Sequence, residues 1–280
     1  MTTTMTGAPI PGAPVRPRMS PRRRARISRG IQYTVLLIAL LVLALATDWH
    51  RVGTQFFNLD VARELLHSIP NAFRNTVVYT AAAFAVGLSL GMLLALMKLS
   101  PVRPYRWIAT AYIEFFRGIP ALLVVISFGF AVPIALGVSI ESLTLKAALA
   151  LGMVSAAYIA ETLRAGLQAV PRGQVEAARS LGMSQGRTLA TVVIPQAFRI
   201  VLPPMTNEFI LLTKDTSLIY LMGLQVSQYD LTKVGREALN SAHGGLTALF
   251  VIGAAYLLIT IPLGLLARWL ETRTGKARRS

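Results

Sequence analysis

The sequence has 280 residues, of which 54% are hydrophobic and only 14% charged, with 28 Lys and Arg against 12 Asp and Glu and a formal net charge of +16. Soluble domains carry about a quarter charged residues and disordered chains are far less apolar, so the composition excludes both and points to an all-α, polytopic membrane protein. There is no cysteine, which removes disulfides and thiolate metal or redox sites, and His50, His67 and His243 are too scattered for a metal cluster and read as polar or interfacial residues.

In chain order, residues 1–30 are rich in Pro, Thr, Gly and Arg, without apolar periodicity, and are expected to form a disordered basic tail. Its arginines suit anionic lipid and the orientation of the segment that follows. The basic residues of the chain flank apolar runs instead of striping a polar face, so no nucleic-acid partner is expected. Residues 31–47 form a first apolar stretch, which reads either as a retained transmembrane helix or, with Ala44 and Ala46 placed as at a cleavage site, as a secretory signal peptide. Residues 60–74 read as an external amphipathic helix interrupted near Pro70, or as a plain loop.

Uncharged apolar runs follow at Asn75–Met97, at Ile119–Val138 with an amphipathic lead-in from Trp107, at about Leu143–Leu163 and at Leu246–Ala267. A further run, about Ile200–Val226, is interrupted by Glu208, Lys214 and Asp215. The expectation is about six transmembrane helices, a five-helix core plus one N-terminal helix. Twenty of the 28 basic residues fall in the N-terminal tail, the loops after the second and fourth spans, and the C-terminal tail. The positive-inside rule then places both termini in the cytoplasm. Pro120 and Pro133 are expected to kink the third span. Gly87 and Gly91 permit close helix packing, within the chain or between subunits. Trp107 and Trp269 read as interfacial anchors.

The loop of about 164–199 is too polar to span but is not linker-like. Pro171 suits a helix first turn, Gln174–Leu181 is rich in helix formers, and Gly182 fits a left-handed C-cap. A second short segment, Ser184–Val193, is expected before Pro195. The product is a short helix projecting from the membrane, carrying Arg172, Glu176, Ala177, Ala178 and Arg179. By composition it is either a docking element for a cytoplasmic partner or a solvated loop helix.

These residues carry a resemblance. Glu176-Ala177-Ala178, then Gly182 after three intervening residues and Val192-x-Ile194-Pro195 after nine more, resemble the EAA-x3-G-x9-I-x-L-P loop of ATP-binding-cassette (ABC) importer permeases, with conservative apolar exchanges. Glu114-Phe115-Phe116-Arg117-Gly118-Ile119-Pro120 resembles the EFFRGTP segment of the polar amino-acid permeases, with Ile119 in place of Thr. Ala157-Tyr158-Ile159-Ala160-Glu161 with Arg164, and Asn207-Glu208 with Lys214-Asp215-Thr216-Ser217-Leu218, resemble two further segments of that group. The similarity covers about residues 70–270, leaving a basic C-terminal tail at 271–280.

The resemblance implies a type I ABC importer permease fold. It implies that Arg172, Glu176, Ala177, Ala178, Arg179 and Gly182 form a helix coupling to separate ABC ATPase subunits, which would use the ATP and Mg; no cofactor is expected on this chain. It implies a second permease subunit (the same chain or a paralogue), an external solute-binding protein, and a bacterial inner-membrane location. Motion would be alternating access. The chain itself is not expected to be an enzyme: at Gly275-Lys276 a phosphate-binding loop would need Gly where Leu270 stands and Ser or Thr where Ala277 stands.

Charges within a span cost about 2.5–3.5 kcal/mol on insertion scales and mark pathways more often than decoration. Lys214, Asp215 and Glu208, with Thr216 and Ser217, could offer both signs to a zwitterion, or could form a structural network at a helix break. Glu161 with Arg164, and Glu114 with Arg117, are spaced to pair along one helix face; intramolecular pairing and a role near the pathway or coupling loop both fit. Pro120 suits a cavity wall. The competing functions are an ABC permease for methionine or a compatible solute, an ion-coupled secondary transporter, for which no internal repeat is visible, and a membrane scaffold.

Overall fold

A computed structural model describes residues 21–241 and 245–277, and among them all regular structure is helical. Residues 1–20 with Arg16 and Arg18, His243, and Arg278 and Arg279 lie outside the described residues. The chain divides into two compact units, one ending at Gly53 and one beginning at Thr54.

In the first unit, helix α1 covers Pro21–Ala46. It starts ten residues before the apolar stretch and so takes in part of the expected disordered tail. Arginine is a good helix former, and an apolar helix once nucleated propagates into such a sequence. Its large apolar side chains from Ile27 to Leu45 are exposed, as expected of a lipid-facing helix. The Trp49 indole donates to the Ala44 carbonyl at 2.7 Å, and Asp48 accepts from the Arg51 amide at 3.0 Å, turning the chain into helix α2, Trp49–Phe56.

The second unit takes in the end of α2 and then the 41-residue helix α3, Leu59–Leu99, capped by the Asn58 side chain, which accepts from the amides of Asp60 and Val61. The helix runs without interruption through Pro70, where a break was expected. Packing decides the outcome: Val61, Leu65 and Ala72, on both sides of Pro70, are buried in one cluster with Leu231, Val234, Ala248 and Ile252.

Helix α4, Arg103–Gly118, ends at an extended Ile119, the conformation favoured before proline. Pro120 then caps α5, Ala121–Ile126, which continues through a π turn, Ser127–Ala131, into α6, Val132–Leu136. The two arms, Arg103–Gly118 and Ala121–Leu136, are bent by 101°. Pro120 therefore breaks the third span outright. Helical structure continues across Pro133. A proline clashes with the carbonyl four residues back, and here the preceding π turn, with the Val132 amide bonded to the Ser127 carbonyl, widens the helix to accommodate it.

Helix α7, Leu143–Gln168, is the central element, with thirteen buried residues. It packs closely on α3 because three glycines open the contact. A Cβ on Gly91 would sit 2.7 Å from Ile159 Cγ2, one on Gly152 2.8 Å from Val86 Cβ, and one on Gly87 would collide with the Ser155 hydroxyl. The Gly87–Gly91 pair therefore serves packing within the chain.

After the loop helix α8, Arg172–Ser180, come α9, Gln185–Thr188, a second π turn, Leu189–Val193, and α10, Ile194–Asp215. Pro195 was read as a boundary, but the π turn again precedes it and the helix continues. A 3-10 segment, Thr216–Met222, extends α10 to Gly223. Helix α11, Leu231–Asn240, and helix α12, Thr247–Ala277, complete the unit. Among the described residues five helices are long and apolar enough to cross a membrane, and six if the bent pair counts as one span.

Candidate functional site

Helices α7 and α10 and the α4–α5 break enclose a cavity of about 240 Å³ lined by Ile119, Ala121, Leu151, Val154, Ser155, Tyr158, Glu208, Leu211, Leu212 and Asp215. The backbone explains its position. The break at Ile119–Pro120 prevents a continuous helix from packing flat against α7. The lining residues 151, 154, 155 and 158 share one face of α7, and Glu208, Leu211, Leu212 and Asp215 share one face of α10, at the three-, four- and seven-residue spacings that stack side chains on a helix. Seven residues are close to two turns, which is why both carboxylates reach the same space. The remaining lining is apolar apart from the Ser155 hydroxyl and Tyr158.

The five pathway residues anticipated from the sequence do not all converge. Glu208 and Asp215 line the cavity. Lys214, one position earlier, points about 100° away, is exposed and is not among the lining residues. Thr216 is buried and its hydroxyl donates to the Thr213 carbonyl at 2.7 Å, so it serves the junction between α10 and the 3-10 segment. Ser217 is half-buried in that same segment.

Glu161 and Arg164 pair as the spacing predicted: Arg164 Nη2 lies 2.6 Å from Glu161 Oε2, and Arg164 Nη1 2.6 Å from Gln168 Oε1. The sequence did not reveal the third member. Lys98, at the end of α3, lies 2.5 Å from Glu161 Oε1. All three ionic groups are partly shielded, and one carboxylate thus ties the ends of α3 and α7 together one turn beyond Tyr158. No sequence pattern links residues 98 and 161; only the α3–α7 packing does. Glu114 is exposed. Arg117, instead of pairing along its own helix, places its guanidinium 5.7 Å from the Tyr158 ring centroid. Pro120 sits at the break itself.

The loop helix α8 has the ending its sequence implies. Gly182 adopts φ +82°; its amide donates to the Arg179 carbonyl at 3.0 Å and the Met183 amide to the Ala178 carbonyl at 3.2 Å. This is the paired bonding of a Schellman motif. Arg179 adds a bond from Nη1 to the Met183 carbonyl at 2.7 Å. Ala178 is buried against the rest of the loop, whereas Arg172, Glu176, Ala177 and Arg179 are exposed and Leu181 is 85% exposed at the tip. Of the two alanines, Ala177 is the one on the open face. Nearby, Val170, Val193 and Ala197 form a small apolar cluster to which Val175 of α8 adds. It anchors the loop helix to the start of α10 and leaves its outer face free.

On the α11 side, Asp230 was not singled out from the sequence, yet it is fully buried. It caps α11 by accepting from the amides of Thr232 and Lys233, both at 3.1 Å. Burial pushes its pKa up to about 6 against the lowering effect of those bonds. The strand of chain before it is pinned to α3: Asn75 donates to the Ser227 and Tyr229 carbonyls, Tyr79 to that of Gln228, and the Leu231 amide to the Thr76 hydroxyl. Among the described residues no group of His, Asp or Glu could hold a metal ion.

Comparison with known proteins places this geometry. The profile of the family described as "Binding-protein-dependent transport system inner membrane component" matches residues 87–276. The chain is 34% identical over 222 residues to the probable glutamine ABC transporter permease protein GlnM of Bacillus subtilis, covering 79% of this chain and 99% of that protein. It is 33% identical to the arginine transport system permease protein ArtQ of the same organism, covering 71% and 88%. It is 34% identical to the glutamate/aspartate import permease protein GltK of Escherichia coli, covering 71% and 90%. A solved structure of an amino acid ABC transporter with histidines superposes with a TM-score of 0.68 at 32% identity, covering 75% of this chain and 95% of that one. A structure of the MetNI methionine ABC transporter shares the fold, with a TM-score of 0.57 at 20% identity, covering 74% and 95%.

Proposed function

Because the chain belongs to the family of binding-protein-dependent transport system inner membrane components, we propose that this multi-pass membrane protein is the permease subunit of an ATP-driven ABC importer for a polar amino acid. The observation that carries the reading is the cavity within the helix bundle, lined by Glu208 and Asp215 and roomy enough for one small solute. The relatives named for glutamine, arginine and glutamate/aspartate set the substrate class. Glu208 and Asp215 receive the ammonium group common to all amino acids, which a permease for an uncharged solute would not need. Two carboxylates in a space this apolar are costly without a cation, so a cationic group in the substrate lowers the cost of its own binding site.

Hydrolysis takes place in separate ATPase subunits that use ATP and Mg. The exposed face of α8, with Arg172, Glu176, Ala177, Arg179 and the apolar tip at Leu181, docks on those subunits. The remaining partners are a second permease subunit and an external binding protein, and both termini lie in the cytoplasm of a bacterial cell. ATP-driven movement of α8 is passed through α7 and α10, which carry the cavity residues, so docking helix and solute site move as parts of one unit.

The test is uptake of labelled Glu, Gln, Asp, Arg and His into proteoliposomes holding the purified complex, with binding protein outside and ATP inside or absent. ATP-dependent uptake of one of these, lost in Glu176→Lys, is expected. Glu208→Gln with Asp215→Asn should raise KM at least about tenfold, the scale of a lost charged hydrogen bond, at normal membrane levels. Uptake that needs an ion gradient and no ATP would overturn the reading.

A further inference from the structure

An amino acid carries a carboxylate as well as an ammonium group, and the cavity lining meets only one of them. Glu208 and Asp215 are anions, and no lining residue is a cation. Two cations stand beside lining residues in sequence or space. Lys214 precedes Asp215 but is exposed and leaves the cavity face of α10. Arg117 is exposed too and is not itself a lining residue, but it differs in three respects. Its guanidinium lies 5.7 Å from the ring centroid of Tyr158, itself a lining residue. It occupies the last turn of α4, immediately before the break whose next residues, Ile119 and Ala121, also line the cavity. Its carboxylate neighbour at the helical spacing, Glu114, is exposed, and the guanidinium rests on an aromatic face instead.

A guanidinium held on an aromatic ring keeps its edge of N–H donors directed outward and is only weakly hydrated. A carboxylate entering the cavity can take two parallel hydrogen bonds from it at little cost in desolvation. The opposite end of the solute would then meet Glu208 and Asp215 on α10.

Resting on the amino-acid reading above, we propose that Arg117, held on the Tyr158 ring at the α4–α5 break, is the group that receives the α-carboxylate of the transported solute and so restricts the site to carboxylate-bearing amines. Lys214 does not have this role. The α4–α5 break is then a specificity element as well as a wall. The last turn of α4 stands directly before Ile119 and Ala121, which line the cavity.

The test is equilibrium binding to the purified permease–ATPase complex, without binding protein, of the labelled amino acids used for uptake and of their α-carboxamides, which keep the ammonium and lose the negative charge. The unaltered complex should bind its amino acid at least about tenfold more tightly than the carboxamide, as one charge-assisted bidentate pair implies. Arg117→Gln should bring the amino acid down to the carboxamide's affinity while carboxamide binding persists, which also reports an intact fold. Arg117→Lys should keep part of the preference, and Lys214→Met all of it. A preference that survives Arg117→Gln, or one abolished by Lys214→Met instead, overturns the assignment and leaves the transport reading standing. Binding of no amino acid by the unaltered complex would count against both, and ATP-driven uptake then separates them.

Discussion

Asp230 shows how a single residue can set a pH response without touching the cavity. Its carboxyl holds its proton up to about pH 6 in the folded protein, against an ordinary value near 3.9 in an unfolded chain. A folded-state pKa above the unfolded one means that the native state binds the extra proton between those limits. Stability from this group is therefore greatest at about pH 4 and below and falls as the pH rises through about 6. Thermal unfolding of the purified protein should show a lower midpoint at pH 7 than at pH 5. Asp230→Asn, which cannot ionise, should flatten that slope while weakening the α11 cap through loss of one acceptor oxygen. An unchanged slope in the variant would remove Asp230 as the cause. Glu208 and Asp215 have the contrasting position: they line a cavity, where on the proposed reading the ammonium group of a solute offsets their charge.

At the scale of the element, α8 depends on Gly182. No atom lies within 4 Å of where its Cβ would be, so only its backbone, at φ +82°, resists substitution. An L-residue in the left-handed region costs about 1–2 kcal/mol, less for Asn, whose short side chain bonds locally. Gly182→Val should fray the end of α8 and lower solute-stimulated ATP hydrolysis by the complex, while Gly182→Asn should retain most of it. Equal effects of the two would show that the cap geometry is not what matters. This ending was legible in the sequence because a helix run stops at a glycine. The continuity of α3 was not. Pro70 predicts a break locally, and the buried contacts of Val61, Leu65 and Ala72 with α11 and α12 that override it come from residues more than 150 positions away. The π turns before Pro133 and Pro195 were hidden for a related reason: a proline announces a clash but not whether the helix ends or widens to absorb it.

Across the whole chain, most spans could be read from uncharged apolar runs, since every backbone group in lipid must be satisfied within a helix. The site was legible by half. Glu208 and Asp215 could be seen to share a face from their seven-residue spacing. That Lys214 leaves the face, and that Lys98 reaches Glu161, depends on helix phase and on how α3 meets α7. That contact is also an exacting one. A side chain on Gly91 would meet both Ile159 and the Ala156 carbonyl, the latter at 3.0 Å from a Cβ, so neither a rotamer change nor a small shift of one side chain relieves it. Gly91→Leu should lower the yield of monodisperse protein and its unfolding midpoint, through a loss of stability of about 1–3 kcal/mol or more, whereas Gly253→Ala, where a Cβ would have nothing within 4 Å, should not. Comparable losses in both would point to glycine content in general and not to the α3–α7 contact.

The π turn at Leu189–Val193 has a consequence for how the chain is indexed. A π turn holds one residue more than an α turn, and each residue of an α-helix rotates its successors by about 100°. The rod from Gln185 to Asp215 therefore works like a keyed shaft, with the loop helix at one end, the two carboxylates at the other and the widened turn as the key between them. Removing one residue within the key would let it close to an α turn with the flanking segments still in phase, whereas removing one from the α-helical stretch before Glu208 would rotate Glu208 and Asp215 by about 100° away from the space they now face. Substitutions along this stretch can be absorbed one side chain at a time and a deletion only inside the key; anywhere else a one-residue deletion misaligns both ends at once.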